Sequence, residues 1–127
     1  MANSAEVDDK NYHILNSFTD VDIDESGTFK YILIKLTDRR SSSSKFIVRG
    51  YSWASYHADI LDRLTASFEA ASLTVECVGG GRIRRNENEI LVYGYSTGFG
   101  RADHTITAER LRKAFPTLKI SYSNDGY

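Results

Sequence analysis

The chain has 127 residues, of which 41% are hydrophobic and 26% charged, with a single Pro and a formal net charge of −1. Such a length suits one domain with an apolar core. The near-neutral balance excludes a global basic field of the kind that draws proteins to nucleic acid, so any anion binding must come from locally placed Arg and Lys. The lone Cys77 excludes an internal disulfide and fits a reducing compartment. Residues 1–9 are polar and acidic, without the apolar stretch of a secretion signal, and no apolar run reaches the length of a membrane span. The expectation is a soluble, monomeric protein of the cytoplasm, with entry into the nucleus left open, that engages neither membrane nor nucleic acid.

Residues 1–20 lack periodicity and are expected to form a flexible tail, with His13 solvated within it. Asp22 to Gly27 reads as a turn before a strand. Residues 29–36 (FKYILIKL) are β-branched and aromatic, as in a strand. The serine run of residues 39–45 predicts a loop, and residues 46–50 (FIVRG) a second strand. From Trp53 to Ala71, apolar residues recur at Ile60, Leu61, Leu64, Phe68 and Ala71, the spacing of an amphipathic helix lying on a sheet. Leu73, Val75 and Cys77 alternate on one side of a further strand. Gly79, Gly80 and Gly81 predict a turn, with a return strand from Arg82 to Arg85. Residues 89–95 are apolar on both faces, as in a strand inside a sheet. Thr107 reads as the cap of a second helix ending near Phe115, just before Pro116, and residues 118–122 as a last strand. The predicted fold is α/β of the α+β type: one domain over residues 21–127, with a mixed sheet of about six strands flanked by two helices.

Three segments carry the candidate chemistry. Arg49 falls at a strand end, and His57 follows eight positions later in the first turns of a helix, near its buried stripe. Arg82 follows three glycines. Tyr93 to Gly100 is a glycine-rich loop whose backbone N–H groups can form an anion nest; its plain alternative is a connection needing positive φ at Gly98 and Gly100. Together these residues suit a doubly charged anion such as phosphate. Cys77 and Arg82 are separated by four residues where a cysteine phosphatase loop has five, so Cys77 reads as structural. The acidic stretch from Asp22 lacks the Glu that closes a calcium loop. No His, Cys and acidic set has metal-ligand spacing, so neither metal nor cofactor is expected.

Further residues join these: VDID at 21–24, Gly27, FKY at 29–31, IVRGY at 47–51, YHADI at 56–60, Glu76 and Cys77, GGGRI at 79–83, VYGYS at 92–96, His104, Ile106, Thr107 and NDGY at 124–127. In this order and spacing the chain resembles the small phosphohistidine phosphatase family, also called the Janus or Ocnus family, from Val21 to its C-terminus. The resemblance implies a compact α/β domain and metal-independent removal of phosphate from phosphohistidine, and from phospholysine, in proteins. It implies His57 as the catalytic histidine, Lys30, Arg49 and Arg82 as basic residues at the phosphate, and Ser96 with the backbone of Thr97 and Gly98 as the anion loop. Where this chain has Thr97 and Gly98, the family carries Met and Ala; the backbone donors survive that change.

The residue types fit the reaction. The P–N bond of phosphohistidine is weak, so the protein has mainly to hold phosphoryl oxygens and align an attacker. Arginines supply fixed positive forks and Lys30 a point charge. His57 is competent as neutral imidazole, as general base or nucleophile. A non-catalytic phospho-ligand binding paralogue would need only the basic groups and the loop. His104 is the second functional histidine to consider, with a structural, hydrogen-bonded role as its alternative.

Overall fold

A computed structural model describes residues 14–126. In chain order it contains β1 (Val21–Ile23), β2 (Gly27–Asp38), β3 (Ser44–Tyr51), α1 (His57–Ala70), β4 (Leu73–Arg85), β5 (Glu89–Tyr93), α2 (His104–Ala114) and β6 (Lys119–Tyr122). The strands form one sheet in the order β1-β3-β2-β4-β5-β6. β1 runs parallel to β3, and β5 to β6; the other neighbours are antiparallel. The expected mixed sheet with two helices is borne out.

β2 lies inside the sheet and is apolar on both faces because each face is covered. Phe29, Tyr31 and Leu33 pack with Ala108 and Leu111 of α2, whereas Ile32, Ile34 and Leu36 pack with Ile60 and Phe68 of α1. Alternation along a strand assigns these two sets to opposite sides. The helices thus sandwich the sheet, and each takes a separate half of the core.

Several local expectations need correction. Gly79, Gly80 and Gly81 do not turn the chain; they lie inside β4, a continuous strand of 13 residues. Its register against β2 slips between Leu33 and Ile34: Ile34 pairs with Cys77, and Leu33 with Gly79. Val78 is therefore a bulge residue, which inverts the side-chain alternation beyond it. α1 starts at His57, not Trp53, where the Asp59 carboxylate accepts the Tyr56 N–H at 2.9 Å and closes the first turn. α2 is capped by Asp103, which accepts the Thr105 N–H; Thr107 lies inside the helix, its hydroxyl bound to Tyr31.

Another concerns the expected tail. A 3-10 turn, Ile14–Ser17, buries Leu15 in the α1-side core, and Phe18 meets Phe68 edge-on at 5.0 Å. Two apolar anchors suffice to dock a segment too short to show periodicity. His13 lies outside the described residues. The segment expected to be a simple turn also forms β1, three residues paired with Val48 to Gly50.

Candidate functional site

A cavity of about 520 Å³ opens where the start of α1, the middle of β4 and the loop after β5 meet. Lys30, His57 and Arg82 line it with Ser96, Thr97 and Gly98. Two other surface cavities of similar size lie against Leu61 and Glu69 and against Trp53 and Asp62; neither is lined by a histidine.

The bulge at Val78 brings these groups together. Lys30 on β2 pairs directly with Arg82 on β4, so the two cations stand on the same face. Without the slip, the residues of Leu73 parity would continue to face α1, and Arg82 would point to the α2 side. With it, Gly80 and Arg82 face α1, beneath His57.

His57 is buried at the first position of α1, and its Nε2 lies 2.9 Å from the Gly81 carbonyl oxygen. A carbonyl only accepts, so Nε2 carries the proton, and in the neutral ring Nδ1 keeps its lone pair. No hydrogen bond to Nδ1 exists among the described residues. Burial lowers the pKa of His57 below its ordinary value, and the charges of Lys30 and Arg82 add to this, against an opposing pull from the Gly81 carbonyl. The ring is therefore neutral near pH 7.

The glycines of β4 are needed for close approach. A Cβ on Gly80 would lie 2.8 Å from His57 Cδ2 and 3.1 Å from Ser96 Cβ; one on Gly81 would lie 2.5 Å from the Tyr93 oxygen; one on Gly79 would meet the Ala102 backbone at 2.6 Å. The loop from Ser96 is a tight turn closed by hydrogen bonds between Ser96 and Gly100 in both directions, and it is pinned to β4 by the Gly80 N–H to the Gly100 oxygen at 2.9 Å. The Ser96 hydroxyl accepts the Phe99 N–H at 3.1 Å. The N–H groups of Thr97 and Gly98 enter no hydrogen bond among the described residues, which leaves them as donors at the cavity wall. Gly100 adopts φ +85°, but Gly98 does not have positive φ, so only one of the two expected glycine conformations is required.

Arg49 is not brought to this cavity. Its side chain is buried, and its guanidinium donates to the carbonyls of Val48 at 2.9 Å and Thr19 at 2.8 Å. It shares a face with Ile32, its partner in register, but lies toward the N-terminal segment. Its place at the phosphate therefore finds no support in the geometry: an arginine breaking an apolar face is here satisfied by backbone carbonyls.

His104 is fully committed. Its Nε2 donates to the Gly94 oxygen at 2.8 Å, and its Nδ1 accepts from the Tyr31 hydroxyl at 2.6 Å, which in turn accepts from Thr107 at 3.0 Å. Cys77 is half-buried with its thiol pKa raised by burial. Among the described residues, no group of three or more His, Cys, Asp or Glu side chains is placed to hold a metal.

Tyr56 was not expected at the site, yet it lines the cavity together with Tyr95 and Phe99 of the expected glycine-rich loop. Tyr56 is 70% exposed and Tyr95 38%. The adjacency of Tyr56 to His57 was the available signal.

The Janus/Ocnus family (Ocnus) profile matches residues 15–119. The chain is 42% identical over 120 residues to the "14 kDa phosphohistidine phosphatase" of Sus scrofa, an alignment covering 89% of this chain and 95% of that protein. It is 43% identical over 115 residues to the protein of the same name from Homo sapiens, covering 85% and 92%. To the "Sex-regulated protein janus-A" of Drosophila pseudoobscura pseudoobscura it is 42% identical over 113 residues, covering 84% and 76%. The match begins at Leu15, the buried anchor of the 3-10 turn, takes in β1 to β5 and both helices, and ends at Lys119, the first residue of β6, so the chain belongs to the Janus/Ocnus family.

Proposed function

We propose that this protein is a protein phosphohistidine phosphatase that hydrolyses the P–N bond with His57 as its acting group. The observation that carries the reading is the state of His57: Nε2–H is held by the Gly81 carbonyl, while Nδ1 keeps a free lone pair in a cavity shared with Lys30 and Arg82. The names of the mammalian relatives support the substrate class.

In this reading Lys30 and Arg82 bind the phosphoryl oxygens, with the N–H groups of Thr97 and Gly98 and the Ser96 hydroxyl as further donors. Preorganised donors of this kind stabilise charge at the transferring group without having to reorganise. His57 Nδ1 takes a proton from a water as the water oxygen bonds to phosphorus. The bond from phosphorus to the substrate imidazole breaks, and that nitrogen receives the proton, leaving free histidine and phosphate. Both cations favour the neutral imidazole that this role requires. Denaturing the enzyme during turnover of a 32P-labelled substrate checks the assignment: label retained on His57 would make it a nucleophile instead of a base.

The reaction is read as needing no metal. Purified protein should release phosphate from a phosphohistidine peptide at an unchanged rate in EDTA; activity abolished by chelation and restored by a divalent ion would overturn this. The protein is further read as a monomer of the cytoplasm, its one cysteine, half-buried and free, suiting a reducing compartment. No helix among the described residues is long and apolar enough to cross a membrane. Light scattering tests the monomer.

A further inference from the structure

The sheet face that carries Lys30 and Arg82 does not end at the cavity. α1 packs on β2, β3 and β4, and beyond it the same face continues onto β5 and β6. Two rows cross it by register. One runs from Lys30 to Arg82 to Tyr93, the next from Thr28 to Arg84 to Leu91 to Ser121. Arg84 and Thr28 are exposed; Leu91, Tyr93 and Ser121 are half-buried. The Arg84 guanidinium lies 5.6 Å from the centre of the Tyr93 ring and has no ion pair among the described residues. Glu89, farther along the same face, stands opposite Lys119 in register, so those two charges offset each other. The result is a basic shelf with an aromatic and aliphatic floor, on a protein whose net charge is −1.

We infer that this shelf receives the polypeptide next to the phosphohistidine and favours substrates with an acidic side chain about two residues away. The inference rests on the phosphatase reading and extends it to substrate choice. Residues two apart on a strand point the same way and stand about 6.6 Å apart, which is the spacing from Arg82 to Arg84. An extended substrate has the same repeat. When its phosphoryl group sits at Arg82, a side chain two positions away falls at Arg84, and the residue between them faces away from the shelf. Stacking on Tyr93 holds the Arg84 guanidinium over the shelf before substrate arrives, which lowers the ordering cost of the contact.

The test compares three substrates: phosphoramidate, a histidine-phosphorylated peptide with Asp two positions to either side, and the same peptide with Asn there. At low salt the wild type should show a kcat/KM about two- to five-fold higher for the Asp peptide, the range of an exposed ion pair. High salt should erase the preference. Arg84→Gln should abolish it, and Arg84→Glu should reverse it, both with phosphoramidate hydrolysis unchanged. Equal hydrolysis of both peptides by the wild type, or a preference that survives Arg84→Gln, overturns the inference and leaves the phosphatase reading intact. Single-stranded RNA competing at the shelf more strongly than the Asp peptide would also overturn it, in favour of a polynucleotide partner. Phosphate release from none of the three substrates would remove the phosphatase reading and the inference with it.

Discussion

The Cδ2 edge of His57 lies so close above Gly80 that a Cβ on that glycine would stand 2.8 Å from it. This contact joins two elements that are separate in sequence. It also fixes the height of the imidazole above the strand, so that Nε2 reaches the carbonyl of Gly81, the next residue. Gly80→Ala should therefore act on the site as well as on stability. The added methyl meets the Tyr31 carbonyl oxygen at 2.8 Å as well as the ring, and overpacking of this kind costs about 1–3 kcal/mol. Turnover should fall by about a hundredfold in the protein that remains folded, because small displacements of an acting group cost that much. Thermal melting together with kinetics on folded protein checks both; a stable variant with normal turnover would break the link between this glycine and His57.

His57→Ala should remove most turnover while the fold and much of the phosphate binding persist. Loss of a general base costs on the order of a hundredfold to ten-thousandfold in rate, whereas Lys30, Arg82 and the loop donors remain. Phosphate titration by NMR and turnover on a phosphohistidine peptide separate the two effects. Near-normal turnover would disqualify His57.

Arg82 and Arg49 should behave as opposites. Arg82 lines the cavity, so Arg82→Ala should raise KM and lower kcat together, because its charge acts on the phosphoryl group before and during reaction. Arg49→Met should instead destabilise the fold by about 1–3 kcal/mol, since it leaves the buried Val48 carbonyl and the partly buried contact at Thr19 without their donor. Its folded fraction should keep turnover within a few-fold of wild type. A selective loss of turnover in a fully stable Arg49→Met would return Arg49 to the phosphate site.

The acid limb of kcat/KM should lie below the ordinary histidine value of 6.5, because burial, then Lys30 and Arg82, lower the pKa of His57. Activity is then full above that value and falls only as pH drops through the lowered one. Lys30→Met should move the limb toward higher pH by removing one of the opposing charges. Stability follows the same sign. His57 and His104 both have depressed values, burial being the first cause for each. The stability they contribute is present above 6.5 and is lost as pH falls through the depressed values. Urea midpoints measured at pH 7 and pH 5 test this; a more stable protein at pH 5 would contradict it.

Cys77→Ser should leave turnover within a few-fold of wild type. The thiol is half-buried, its pKa is raised by burial, and it shares the Leu73 face ahead of the bulge. A thiolate nucleophile needs the opposite environment. Loss of turnover in a folded Cys77→Ser would refute the structural role.

Periodicity and composition by themselves determined the main elements. The two-sided apolar run of β2, the amphipathic stripe of α1 and the stop before Pro116 are local consequences of side-chain alternation and backbone sterics, and the strands and helices formed where those patterns lie. The candidate histidine was legible because His57 stands at a helix start beside its buried stripe. The bulge at Val78 was not legible, because a one-residue slip depends on how β4 meets β2. That slip decides which face Arg82 occupies, and with it whether Arg82 meets Lys30. Likewise the three glycines of β4 read as a turn in isolation; only the close approach of His57, Tyr93 and Ala102 explains why a strand lacks side chains there. The fate of Arg49 depended on the Thr19 carbonyl, supplied by a segment whose docking through Leu15 and Phe18 is too short to leave a pattern. Local sequence fixes which conformations the backbone favours. Which charges meet is decided by strand register and long-range contact, and these exist only once the sheet has closed.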